Sequence, residues 1–162
     1  YAKVRILPDG DELYASSMIR RGDDYREASY IKYDLLVDKH ENNRRVTPEF
    51  EIRSFYGELQ HIFLVQLPAA ARKDLDCDDN DTAAVEEPVV LILASIHRCE
   101  TTTVRPIPGP VYSAMGRQEV VDMTSLQCLV GRTRSPLGPG SEPWAIIDRS
   151  DAINRSYYIP DM

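Results

Sequence analysis

Cysteine is scarce in this chain of 162 residues: Cys77, Cys99 and Cys128 are its whole supply. An odd, sparse count builds no disulfide framework and points to a reducing compartment. The sequons Asn80-Asp81-Thr82 and Asn154-Arg155-Ser156 point the other way, toward secretion, but such triplets also arise by chance. Long apolar runs are missing too. The longest, Ile62–Val65 and Val89–Ile96, fall far short of the roughly 20 residues a membrane helix needs. No phosphate-cradling glycine loop and no nucleophile elbow occurs. The chain opens on Tyr1 with no charged-then-apolar leader, so it is expected to be a piece of a longer polypeptide, with any targeting signal outside it.

What is present is ordinary globular material, 43% hydrophobic and 28% charged, enough for one soluble domain with its own core. The net charge of −7 is local. Seven acids (Asp74, Asp76, Asp78, Asp79, Asp81, Glu86 and Glu87) lie between Asp74 and Glu87 with no Lys or Arg among them, and without them the body is neutral. A nonspecific nucleic-acid binder needs a basic surface to neutralise phosphates, so any such contact here has to come from a local patch.

Hydrophobic alternation predicts a mainly β chain. Ala2–Leu7 reads as a strand, Pro8-Asp9-Gly10-Asp11 as a turn, Leu13–Ile19 as a second short strand and Tyr30–Val37 as a third. Phe50–Leu67 is the best-patterned stretch. Phe50, Ile52, Ser54 and Tyr56 share one face; after Gly57 the phase changes, with Leu59, His61, Phe63 and Val65 together, which predicts a bulge or bend at the glycine. Ala69–Pro88 reads as a mobile acidic loop inserted in a single domain spanning 1–150, with 151–162 as a tail. Val89–Ile96 reads as a buried central strand, Arg98–Met115 as extended loop, Glu119–Met123 as a short strand, and Thr124–Val130 as a helical turn capped by Thr124 or Ser125. Gly131–Pro143 reads as irregular and Trp144–Asp148 as the closing strand. Five to seven strands with long loops and little helix predict an irregular small β-barrel or sandwich.

Several constellations bear on chemistry. Asp76, Asp78, Asn80 and Glu87 fall at positions 1, 3, 5 and 12 of a calcium loop, but Asp81 stands where the sharp turn wants glycine and the flanks read as strands. His97 and Cys99, with His61 and Cys128, offer one short zinc-like pair without a second. The same thiols and histidines, oriented by Asp148, make a Cys/Ser-His hydrolase drawable without any supporting motif. Arg44, Arg45, Arg132 and Arg134 are basic spots in loops, suited to phosphate or acidic tails. Tyr56, Phe55, Tyr112 and Trp144 supply rings for an aromatic cage around a cation, or simply core. No cofactor is implied.

Phe55–Val65, Glu119–Met123, Leu126–Arg132 and Trp144–Ser150 resemble stretches of uncharacterised basidiomycete proteins associated with Kyakuja-Dileera-Zisupton and CACTA-like transposons, against which the acidic segment looks like a variable insertion. The order of strands is also similar to that of the bromo-adjacent homology (BAH) domain, a chromatin-associated β-barrel, although the aromatic residues that family carries after its central strand are replaced here by Ser95-Ile96-His97-Arg98-Cys99. These resemblances imply a fungal, nuclear interaction module that binds chromatin protein or another protein partner; the lack of a catalytic signature and of a long apolar run adds the expectation that it is non-catalytic and does not enter a membrane. The alternatives are a DNA-contacting accessory domain of a transposase, using the four arginines, and the small hydrolase.

Overall fold

A computed structural model of the chain describes residues 1–6, 10–19, 28–41, 43, 45–68, 88–138, 140 and 142–150. The described residues form nine strands: β1 (Lys3–Arg5), β2 (Glu12–Tyr14), β3 (Tyr30–Asp38), β4 (Phe50–Leu67), β5 (Val89–Thr103), β6 (Pro110–Asp122), β7 (Leu126–Leu129), β8 (Gly131–Arg134) and β9 (Trp144–Ile147). β1 and β2 form a separate hairpin, and the other seven make one antiparallel sheet in the order β7-β3-β4-β5-β6-β9-β8. Its first and last strands, β7 and β8, are consecutive in the chain and separated only by Val130. The sheet therefore curls until one continuous segment serves as both of its ends, which is the mainly β, barrel-like architecture the alternation predicts. At the junction the Val130 amide donates to the Tyr30 carbonyl at 2.9 Å.

The three long strands carry the fold. β4 coincides with the predicted Phe50–Leu67 run and stops before Pro68, which can donate no ladder hydrogen bond. β5 and β6 are longer than predicted. The prolines and glycine read as a loop over Arg98–Met115 are confined to a tight turn, in which the Ile107 amide donates to the Val104 carbonyl at 2.9 Å and Gly109 takes φ of 117°. Around that turn Thr101, Thr102 and Thr103 pair with Tyr112, Val111 and Pro110. β-Branched threonines favour the strand up to the turn, and proline is tolerated at a strand's first residue. Three further readings change. Leu13–Ile19 divides into β2 and a 3-10 turn at Ser16–Met18, and the turn at Met123–Ser125 is capped by Asp122, whose side chain accepts from the Thr124 amide at 2.8 Å. Gly131–Arg134 is strand rather than irregular chain, because its amides find β9.

The bulge in β4 is not at Gly57. The ladder with β5 shifts between Leu59 and His61, at Gln60, whose carbonyl leaves the ladder and accepts from the Ser17 hydroxyl at 2.5 Å. The shift turns Ile62 inward beside Leu59 and sends His61 and Phe63 outward as a stacked, exposed pair, so the predicted grouping of Leu59 with His61, Phe63 and Val65 is corrected. Gly57 answers a different need, close approach.

Both faces of the curled sheet are packed. One cluster joins Leu13 and Ala15 of the hairpin segment to Ile31, Tyr33, Leu59, Ile62, Ala94, Ile96, Val121 and Leu126. A second, on the opposite face of β3, joins Tyr30, Cys99, Tyr112, Val130 and Ile146, with Tyr56, Met115, Cys128 and Trp144 against it. Adjacent residues Tyr30 and Ile31 feed different clusters because side chains alternate along a strand.

A β-carbon at Gly57 would stand 2.5 Å from the Ile96 Cγ2 and 2.7 Å from the His97 carbonyl oxygen. Gly57→Ala is therefore expected to cost about 1–3 kcal/mol. Urea unfolding checks this, with a lowered midpoint and an unchanged slope as the expected outcome.

Candidate functional site

Polar chemistry concentrates in three places, each built from residues that alternate off neighbouring strands. The first is where the sheet closes. β8 and β9 pair with Arg134 opposite Trp144 and Arg132 opposite Ile146, which puts both guanidinium groups beside one indole. The Arg132 guanidinium carbon sits 3.8 Å from the Tyr30 ring centroid and 4.3 Å from that of Trp144, and its NH1 donates to the Tyr112 hydroxyl at 2.7 Å. Arg134 lies 4.1 Å from the Trp144 ring and donates to Glu142 at 2.7 Å. Burial pushes the Tyr30 and Tyr112 phenols up, so both stay neutral and Tyr112 can accept from Arg132.

The second is a clasp on the outer face of β3 and β4. Lys32 lies opposite Tyr56 across one ladder and opposite Cys128 across the other. Asp148, just past β9, receives the Lys32 ammonium at 3.1 Å, the Tyr56 hydroxyl at 2.9 Å, and the Ser150 amide and hydroxyl at 2.9 and 2.7 Å. Lys32 also donates to the Ser150 hydroxyl at 3.0 Å. Burial alone would raise the Asp148 carboxyl, but the bonds from Ser150, Lys32 and Tyr56 outweigh it and hold the group at about 2. A serine beside a lysine can form a nucleophilic pair only if the lysine is neutral; here the lysine faces an ionised carboxylate and acts as a donor.

The third is a groove of about 540 Å³ on the inner face, among β3, β4, β5 and β6. Arg98 lies 3.9 Å from the Phe55 ring centroid. Its NH1 is 3.4 Å from the Glu119 Oε1, an oxygen that already accepts from the Arg117 Nε at 2.6 Å, and the Glu119 Oε2 accepts from the Tyr33 hydroxyl at 2.7 Å. Burial raises Glu119, yet the bonds from Tyr33 and Arg117 and the nearby Arg98 charge hold its carboxyl below the usual range.

The residues singled out from sequence are divided among these places. Tyr56, Tyr112 and Trp144 all pack on the second core cluster, but Phe55 faces the other way, against Tyr33 and Arg98. The four-ring cage is thus corrected: adjacent strand residues Phe55 and Tyr56 point to opposite faces. Tyr30 supplies the ring the sequence reading missed, and Arg132 fills the space between it and Trp144. Arg45 is exposed in the β3–β4 loop, its amide donating to the Asn43 side chain at 3.3 Å, while Arg44 lies outside the described residues. So do Asp76, Asp78, Asn80 and Glu87 of the calcium-loop reading.

The proposed metal and hydrolase partners are not brought together as a set: Cys128 lies near Asp148, but the histidines are engaged elsewhere. His61 stacks on Phe63 at the surface, and the His97 Nε2 is 3.0 Å from the Gly116 carbonyl oxygen. The Cys99 thiol points at the Met115 sulfur, 3.9 Å away. Among the described residues, no group of three His, Cys, Asp or Glu is placed to hold a metal ion. Burial pushes the Cys99 thiol up to about 12 and raises Cys128, which keeps both protonated at neutral pH and removes their nucleophilic form. Among the described residues, no helix is long and apolar enough to cross a membrane. No family model, curated protein or solved structure matches the chain.

The clasp carries a pH signature. A carboxyl whose folded value lies near 2, against an ordinary 3.8, contributes stability that is complete above the ordinary value and lost as pH falls toward the folded one. Asp148→Ala is expected to cost about 1.5–3 kcal/mol at neutral pH. Denaturation of both proteins down the pH scale should show that gap narrowing between about pH 4 and pH 2.

Proposed function

We propose that this chain is a non-catalytic interaction module of a transposon-derived nuclear protein, and that it binds chromatin protein or a partner assembled on chromatin. The carrying observation is an exposed apolar face on the β3–β4 hairpin. Leu36 and Ile52 stand directly opposite each other, with Phe50 next along β4 on the same face, and they are 66%, 73% and 59% exposed. Large apolar side chains left in water side by side mark a surface meant to be covered, whereas single exposed apolar residues are commonplace. The sequence resemblances to transposon-associated proteins and to BAH domains supply the chromatin context. The chemistry of the polar clusters agrees with a binding role: Asp148 and Glu119 are held by cationic and hydroxyl partners, and burial raises both described thiols.

The test is binding of the domain to reconstituted nucleosomes, to histone-tail peptides and to bare duplex DNA, each at two salt concentrations. Binding to nucleosomes or tails that drops about tenfold or more in Leu36→Ser/Ile52→Ser, with thermal stability changed by no more than about 0.5 kcal/mol, is the expected outcome. Steeply salt-dependent affinity for bare DNA would favour the transposase-accessory reading instead. Silence toward all three would overturn the chromatin assignment.

A further inference from the structure

The inner groove holds a guanidinium, Arg98, that meets its carboxylate partner only at the edge of hydrogen-bond range. Glu119 is shared: its Oε2 takes the Tyr33 hydroxyl, and its Oε1 takes Arg117 at 2.6 Å and Arg98 only at a long 3.4 Å. A guanidinium carries five N–H donors in a rigid fork. Arg98 is nevertheless held still, stacked 3.9 Å from Phe55 and only 30% exposed. Arg117 and Arg53 line the same groove, each using its Nε on a neighbouring glutamate. Leu35 and Val37 give the groove an apolar wall. Two exposed acids, Glu41 and Glu100, complete the lining, so guanidinium groups and carboxylates face the same space.

We propose that this groove binds a peptide segment in which an acidic residue stands beside a basic one, the carboxylate entering the Arg98 fork and the cation meeting Glu41 or Glu100. The proposal rests on the reading of the chain as a protein-binding module, and it gives that module a second contact distinct from the apolar hairpin face. A pre-stacked guanidinium favours a planar carboxylate, which it can hold through two parallel bonds. The lining acids repel polyanions such as nucleic acid, and they select for a ligand of balanced charge.

The experiment follows the arginine Nε–H resonances of the folded domain during titration with a blocked Glu-Lys dipeptide, its Gln-Lys counterpart, and inorganic phosphate. The expected result is movement of the Arg98 and Arg117 signals with Glu-Lys, about tenfold weaker binding of Gln-Lys, and a similar loss in Arg98→Met. Arg117→Gln, at a residue whose side chain is 73% exposed, repeats the test should Arg98→Met fail to fold. Equal binding of the two dipeptides, tighter binding of phosphate than of Glu-Lys, or undiminished binding by the variants would overturn the proposal. Failure of the chromatin reading leaves these shifts in place, and failure of the groove leaves the effect of Leu36→Ser/Ile52→Ser in place, so the two are separable.

Discussion

The position of the Arg132 guanidinium, between Tyr30 and Trp144 and against the Tyr112 hydroxyl, is the constraint on which the rest of the structure depends. Those four residues come from β8, β3, β9 and β6. β3 lies beside β7 at one end of the sheet order, while β6, β9 and β8 make up the other. A curled antiparallel sheet without closure exposes two edges, each a row of unpaired amides and carbonyls. Here the segment from Leu126 to Arg134 pairs first with β3 and then with β9, and the arginine fastens the crossing on the Tyr30 face of β3. Cation–π contacts contribute about 0.5–2 kcal/mol each, the upper end comparable to burying one aliphatic side chain.

That closure explains why the polar groups look like a site and behave like a frame. Rings that could surround a ligand cation already surround one of the protein's own. The Lys32–Asp148–Tyr56 clasp plays a similar part on the outer face, tying the residues after β9 back to β3 and β4. Two features lie away from the closure: the apolar hairpin face at Leu36, Phe50 and Ile52, and the groove around Arg98, where two guanidinium groups share one carboxylate oxygen.

Sequence patterning discloses local structure better than it discloses partners. β4 is legible because eighteen residues of strand-forming sequence end at a proline, and β3 because aromatic and β-branched residues alternate. The extensions of β5 and β6 are not legible because Pro106, Pro108, Gly109 and Pro110 dominate a window in which the threonines are the strand formers; a breaker acts on its own residue, not on its neighbours ten positions away. The pattern predicts the bulge at Gly57 because glycine often marks one, yet a bulge needs a home for a displaced carbonyl, and only the fold brings Ser17 to Gln60. At the candidate sites, Tyr56, Trp144, Arg132 and Arg134 are recoverable by residue type, whereas Tyr30 is not, since its ring meets Arg132 only after some hundred residues of chain have closed the sheet. The Asp148-Arg149-Ser150 turn carried a usable local signal, an aspartate two residues before a serine, of the kind that bonds its own backbone.

The closure by Arg132 is tested most directly by comparing wild type, Arg132→Lys and Arg132→Met in amide hydrogen exchange alongside chemical denaturation. The account predicts a loss of about 1–3 kcal/mol in Arg132→Met, less in Arg132→Lys, and faster exchange concentrated at the Val130 amide and along β7, β8 and β9 while the β4–β5 ladder stays protected. Unchanged exchange at Val130 in Arg132→Met, or loosening spread evenly over the sheet, would contradict it.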